Sequence, residues 1–226
     1  MPDAILSATD VVKRFGKTEA LRGASIQIGT GEIVAVMGPS GSGKSTLLYC
    51  LAGILTPEEG EVAFEGQRID LLSETKRSEL RRQAFGFVFQ FGQLVPELTA
   101  MENVSLPLRL GGVQRREAEE RAGHWLSRLD LGQLAETQPS ELSGGESQRV
   151  AVARAMVAEP RVIFTDEPTG SLDSLNGELV MELLVRAARE GGATVVLVTH
   201  DSRVAAHADR EVVIRDGRST TTPVMA

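Results

Sequence analysis

The sequence predicts an α/β fold built around a phosphate-binding loop, with an antiparallel β portion near the N-terminus and a helical portion inserted in the middle. Three observations predict it. The first and last thirds alternate β-branched apolar runs with stretches of helical period. The run Gly38-Pro39-Ser40-Gly41-Ser42-Gly43-Lys44-Ser45 stands between such a strand and such a helix. The stretch from about residue 91 to 158 is different, with helical patterns and scattered Pro and Gly.

In chain order, residues 5–13, 24–28 and 33–37 are β-rich, and Gly29-Thr30-Gly31 turns the chain between the last two. After Ser45 the pattern is helical through Leu47, Leu48, Leu51 and Leu55, until Pro57. Residues 61–65 with Gly66 suggest a small hairpin, residues 73–83 a polar helix, and residues 85–90 an apolar strand with a polar end. Pro96, Pro107, Gly111 and Gly112 break up the next stretch. Residues 116–129 read as an amphipathic helix with Ala118, Ala122, Trp125, Leu126 and Leu129 near one stripe, so Trp125 is expected to pack inside. A further helix starts at Ser143, passes Val150, Ala153 and Val157, and reaches Glu159, where Pro160 stops it. Alternation then resumes with a strand at 162–165, a helix at 176–190, a strand at 194–199 and a short helix at 204–208. Residues 211–215 and 219–222 pair around Asp216-Gly217, a strong hairpin signal. The expected organisation is one domain over residues 1–226: a core from 1–90 and 159–226 that includes the β subdomain, and a helical subdomain over 91–158.

Composition narrows the function. Of 226 residues, 31 are acidic and 24 are Lys or Arg, a net charge of −7 that gives no general pull toward nucleic acid or an anionic membrane. The single cysteine, Cys50, excludes an internal disulfide and suits a reducing compartment. The first residues, MPDAILSATD, begin polar and lack a long apolar core, so no secretory leader is expected. No apolar run nears the ~20 residues that span a bilayer, so action at a membrane requires docking through a partner. His124 and His207 lack Cys or acidic partners at ligand spacing, and Lys76, Arg77, Arg81 and Arg82 read as a solvated basic helix face.

The phosphate loop fits G-x-x-x-x-G-K-[ST]. Its glycines let backbone N–H groups converge on phosphate oxygens, and the helix start adds partial positive charge. Lys44 is placed to reach the β- and γ-phosphates, and the Ser45 hydroxyl to ligate Mg²⁺. A second stretch, Val162-Ile163-Phe164-Thr165-Asp166-Glu167, is an apolar strand ending in two carboxylates. Such an end faces the ligand crevice of an α/β sheet. Asp166 there can hold Mg²⁺ through its water shell, and Glu167 can polarise an attacking water. A third, Leu142-Ser143-Gly144-Gly145-Glu146, reads locally as a helix start, with Ser143 as N-cap and Glu146 closing a capping box. That reading leaves the two glycines in the first turn unexplained, since each costs ~1 kcal/mol against Ala. Close approach of a phosphate held by another copy of the domain would explain them.

Taken together, the phosphate loop through Thr46, Gln90, LSGGE, DEPTGSLD and His200 resemble the nucleotide-binding subunit of an ABC transporter over nearly the whole chain. The runs GPSGSGKST, FVFQFGQLVPELTAMENVSLPL and DEPTGSLD are most similar to the MacB, LolD and FtsE group. The resemblance implies a P-loop NTPase (RecA-like) core. It implies that Phe15 stacks on adenine, and that Gly38, Pro39, Ser40, Gly41, Ser42, Gly43, Lys44, Ser45 and Thr46 bind ATP. Gln90 matches the glutamine that senses the γ-phosphate through Mg²⁺ or water, while the following segment touches the permease. His200 matches the histidine that hydrogen-bonds the γ-phosphate. Asp173 matches the aspartate that links the two sites of a dimer, and Ser143, Gly144, Gly145 and Glu146 bind ATP held by the opposing subunit. Glu146 stands where many members have Gln, and Ser147 follows it; Glu suits a helix start.

These expectations amount to a Mg²⁺-dependent ATPase with ATP and Mg²⁺ as cofactors, working as a head-to-tail homodimer. Its partner would be an integral-membrane permease of MacB/LolC/FtsX type docked near residues 91–98. It would lie peripherally on the cytoplasmic face of the cell membrane, soluble when isolated, with no nucleic-acid partner. A regulator of cell division or cell-wall hydrolysis of the FtsE kind is the alternative. Soluble DNA-maintenance or translation ATPases fit less well, because only about a hundred residues without heptads separate Lys44 from Ser143 and one such domain is present. A GTPase reading lacks an NKxD base-recognition motif.

Overall fold

The structure is a computed structural model and describes residues 4–221. The chain runs β1 (Ala4–Phe15), β2 (Thr18–Gly29), β3 (Ile33–Met37), α1 (Lys44–Leu51), β4 (Glu59–Phe64), β5 (Gln67–Arg68), α2 (Glu74–Ala84) and β6 (Phe85–Phe89). It continues through α3 (Ala100–Leu110), α4 (Arg115–Arg128), α5 (Gly144–Met156), β7 (Val162–Asp166), α6 (Ser174–Gly191), β8 (Thr194–Val198), α7 (Ser202–Ala205), β9 (Arg210–Arg215) and β10 (Arg218–Thr221). Backbone contacts divide the described residues into two compact units: those up to Arg81 with those from Thr194 onward, and Arg82–Ala193.

In the first unit, β2, β1, β4 and β5 form an antiparallel sheet in that order. β2 starts six residues earlier than Ala24, the expected start: Ala24, Ile26 and Ile28 alternate inward, and Leu21 is buried ahead of them across an irregularity in the pairing with β1. β3 lies between β8 and β9, parallel to both, and β9 turns back into β10. Ile33, Val34, Ala35 and Val36 are all buried, as a parallel strand covered on both faces requires. The hairpin expected around Asp216-Gly217 is present; its last expected residue, Thr222, lies outside the described residues.

Three helices differ from expectation. α7 covers Ser202–Ala205 rather than 204–208, because Asp201 caps it by accepting from Arg203 N–H. α1 stops at Leu51, well short of Pro57. Gly53 takes φ 63, its N–H donates to Cys50 O, and Ile54 N–H donates to Tyr49 O, which closes a Schellman cap. The interrupted stretch contains a full helix, α3, that spans Pro107. Thr99 caps it, with a capping box to Glu102. Asn103, fully buried, accepts from Val95 N–H and donates to the carbonyls of Val95, Leu98 and Thr99, so the helix holds the loop before it. Pro and Gly content hid this helix; the Thr99-x-x-Glu102 spacing was the signal for it.

α3 and its neighbours belong to the second unit, where β6 and β7 pair in parallel with Phe89 opposite Asp166. Phe164 meets Phe85 edge-on at 5.1 Å and stacks on Phe87 at 5.6 Å. On α4, Ala118, Ala122 and Leu126 are buried as expected, with Leu129 just beyond. Trp125 is not fully inside: it is half-buried, with the Arg128 guanidinium 4.3 Å over its ring. Two of the four cations on the basic face of α2, Arg77 and Arg81, pair with Glu74 of the same helix.

Candidate functional site

The phosphate loop leaves the end of β3 and enters α1. Gly38, Gly41 and Gly43 take φ of 145, 77 and 105, a region that L side chains avoid. A Cβ on Gly38 would sit 2.2 Å from Ile214 O, and one on Gly43 would sit 2.4 Å from Ala20 O, so two of the glycines are demanded by packing as well. Lys44 folds over the loop and donates to Gly38 O at 2.8 Å and Pro39 O at 3.0 Å. It is only 8% exposed, which fixes a cation at the loop. The N-cap of α1 is Gly43, which supplies no side-chain cap to the first amides. The Ser42 hydroxyl is buried without a hydrogen-bond partner among the described residues. Uncapped amides, an orphaned hydroxyl and a held lysine are the donor set that a chain of phosphates requires, so the residues fit the triphosphate. Ser45 and Thr46 follow on the first turn, half-buried.

His200 follows β8 and is exposed. Thr199 N–H donates to Val36 O, so this strand ends beside the strand that carries the phosphate loop. Phe15 ends β1 and is 51% exposed, with Lys13 Nζ 5.7 Å from its ring centroid. It is therefore not a core residue, and its ring is open to a planar partner.

In the second unit, Gln90 follows β6 and Glu167 follows β7 at the same end of the parallel pair. Asp166 and Glu167 are half-buried. Glu167 takes φ 48, a strained backbone for a residue with a Cβ, and such strain gathers at functional positions. A Cβ on Gly170 would meet the Gln90 amide nitrogen at 2.9 Å, so Gln90 lies directly against the turn after the carboxylates.

Ser143 caps α5 as expected. Its hydroxyl accepts from Glu146 N–H and donates to the Glu146 carboxylate, which also accepts from Ser143 N–H. Ser143 and Gly144 are exposed; Gly145 is buried. The structure supplies a reason for the glycines that the sequence did not. A Cβ on Gly145 would meet Asn176 Oδ1 at 3.0 Å, and one on Gly144 would meet a Leu172 methyl at 3.3 Å. The start of α6 is thus packed against the Ser143-Gly144-Gly145 turn, called the signature turn. Asp173 caps α6, accepting from Asn176 N–H at 2.9 Å and from the Asn176 side-chain amide at 2.6 Å.

These caps set a pH response. The hydrogen bond from the Ser143 hydroxyl, then that from its N–H, holds the Glu146 carboxyl below its usual range. The Asn176 N–H, then its side-chain amide, does the same for Asp173. A carboxyl lowered by folding contributes stability above its unfolded pKa and loses it as pH falls through the folded value. Both caps should therefore survive acidification to about pH 5 and open only below roughly pH 4. Protection of the Glu146 and Asn176 amides, relative to their intrinsic exchange at each pH, should fall in that lower window. A fall already near neutral pH would show that the caps do not depend on these carboxylates.

A parallel strand that delivers a glycine loop to an uncapped helix start, with a buried lysine over the loop, defines a nucleotide-binding protein of the phosphate-loop class. The chain belongs to the ABC transporter family, whose model matches residues 21–170. It is 46% identical over 214 residues to the lipoprotein-releasing system ATP-binding protein LolD of Aquifex aeolicus, covering 95% of each chain. It is also 46% identical to the LolD of Porphyromonas gingivalis, covering 94% of this chain and 97% of that one. Among solved structures it is similar to the ATP-binding cassette MJ0796, determined as a dimer in a post-hydrolysis state bound to ADP and Pi. The TM-score is 0.87 at 40% identity, over 96% of this chain and 98% of that one. The cbiO1 protein of Clostridium perfringens, part of the cbiONQ transporter complex, gives a TM-score of 0.86 at 33% identity, over 96% and 87%. The protein is thus an ATPase subunit of this family, and its nucleotide is ATP.

Proposed function

We propose that the chain is the ATP-hydrolysing subunit of a transporter of the lipoprotein-releasing and MacB type, acting as a head-to-tail homodimer on a membrane permease. The observation that carries the reading is the exposed Ser143-Gly144 turn, a helix start with Ser143 and Gly144 turned to solvent. The identity to LolD proteins over nearly their whole length favours transport over the cell-division alternative. Among the described residues no helix is long and apolar enough to cross a membrane, so attachment would be peripheral, through the permease.

In this reading Lys44 and the amides of residues 38–46 hold the triphosphate, and Phe15 stacks on the adenine. Mg²⁺, when bound, neutralises phosphate charge, and Ser45, Asp166 and Gln90 would hold it. Glu167 orients and polarises the attacking water, and His200 donates to the γ-phosphate. Ser143, Gly144, Gly145, Glu146 and Asp173 complete the site of the second copy. ATP binding closes the dimer and hydrolysis opens it, because the shared phosphate contacts exist only when closed. A helical subdomain over 91–158, inserted into a core of 1–90 and 159–226, remains the proposed organisation, with 91–98 meeting the permease.

Subunit mixing tests the shared site. Lys44→Ala and Ser143→Arg chains should each be inactive alone. Mixed, they should recover about a quarter of the parental ATPase rate, since half the dimers carry one intact composite site. No recovery, or full activity of Ser143→Arg alone as a monomer, would exclude a shared site.

A further inference from the structure

Three consecutive residues after Gln90 lie in the left-handed region: Phe91 at φ 62, Gly92 at 66 and Gln93 at 46. Two of them carry side chains, so the turn is unfavourable on its own and must be held from outside. The same helix that begins at the signature turn holds it. Arg154 of α5 donates through Nη2 to Gly92 O at 2.7 Å and through Nη1 to Gln93 O at 2.9 Å. Gln148 of α5, 1% exposed, donates to Phe89 O at 3.0 Å. The backbone between these anchors lies on the helix surface. A Cβ on Gly92 would come 3.0 Å from Ser147 O and 3.6 Å from the Ala151 methyl, so only glycine allows that approach. Phe91, at the crest, is 69% exposed.

The two anchors are six residues apart, about 9 Å along a helix. A guanidinium fork fixes both direction and distance, and its charge shortens and strengthens bonds to carbonyls. Burial lowers the Arg154 pKa, and the polar acceptors it retains are backbone carbonyls of this turn. Attachment at two separated points resists both sliding and rotation of the turn on the helix.

We propose that Gln148 and Arg154 are positioning residues that fasten residues 89–93 to α5, so that exposed Phe91 and the Ser143 end of the helix move as one rigid lever. The inference rests on the reading that residues 91–98 meet the permease and that Ser143 meets ATP on a second copy. Under it, a displacement of Phe91 is transmitted to the signature turn without loss, and Gln90 is kept in register with it. The coupling element is then the helix with its strapped turn, and the strap is made of side chains rather than of continuous backbone.

The test uses the full chain. Arg154→Gln should speed amide exchange in residues 91–95 by about ten-fold or more, with the middle of α5 unchanged. In steady-state assays kcat should fall about ten-fold while KM for ATP stays within about two-fold, because Gln90 is misplaced but the phosphate loop is intact. Arg154→Lys, which keeps the charge and loses the fork, should fall between. A merely structural arginine would instead lower the melting temperature and spread faster exchange over the whole unit. Should Arg154→Gln not fold, Gln148→Met removes the second anchor in a pocket of similar volume, and faster exchange at 89–91 is expected. Unchanged exchange across 89–95 in the folded variants would overturn the proposal. Failure of the transporter reading would show separately, as no response of the parental chain's ATP turnover to its co-purified permease.

Discussion

Replacing Glu167 with glutamine should lower ATP turnover by about 10²–10⁴-fold while ATP still binds. The change keeps side-chain volume and removes only the carboxylate, so the strained turn at φ 48 and the register of β7 survive. Lys44, the loop glycines and Phe15 are untouched, so affinity for ATP is expected to stay near the parental value. With binding intact and hydrolysis slowed, ATP should hold two copies together, visible as a dimer in size-exclusion chromatography with ATP and Mg²⁺. Hydrolysis at the parental rate would show that another group polarises the water.

Gly38→Ala should be the most damaging single methyl group in the loop. Its Cβ would fall 2.2 Å from Ile214 O and 2.9 Å from Ser42 Oγ, at a φ of 145. Ile214 belongs to β9, whose Val213 is the register partner of Met37, so the obstructing atom is sheet backbone and cannot rotate away. Backbone strain and overpacking together suggest a loss on the order of 3 kcal/mol. Ser42 would be displaced with the loop, so nucleotide affinity should fall as well. Gly41→Ala is the control: it shares a left-handed φ of 77 but meets nothing within 4 Å, and only the strain of about 1–2 kcal/mol applies. Urea unfolding of both variants measures the difference. Equal losses would mean that the close approach to β9 is not what selects glycine at position 38.

Much of the site was legible because its chemistry is local. A phosphate loop needs glycines, a lysine and a helix start within nine residues, and all are adjacent in the chain. The same holds for the capping box of Ser143 and Glu146 and for the acidic end of β7. The missed helix α3 was also local, and its Thr99-x-x-Glu102 spacing was outweighed by Pro107 and two glycines that fall inside or after the helix. A proline costs a helix one hydrogen bond, which buried Val104 and Leu108 and the bonds of Asn103 offset here.

What the sequence by itself determined was the family, and with it the proposed reacting groups, because phosphate-binding and acidic motifs are constrained by chemistry over short spans. Only the tertiary structure decided what stands behind them. That Ile214 presses on Gly38, that Asn176 presses on Gly145, and that Gln148 and Arg154 hold a turn 59 to 62 residues away are consequences of packing between distant segments. No local pattern of residue types encodes such pairs, since any buried glutamine or arginine on α5 reads the same until the chain has brought its acceptor within 3 Å.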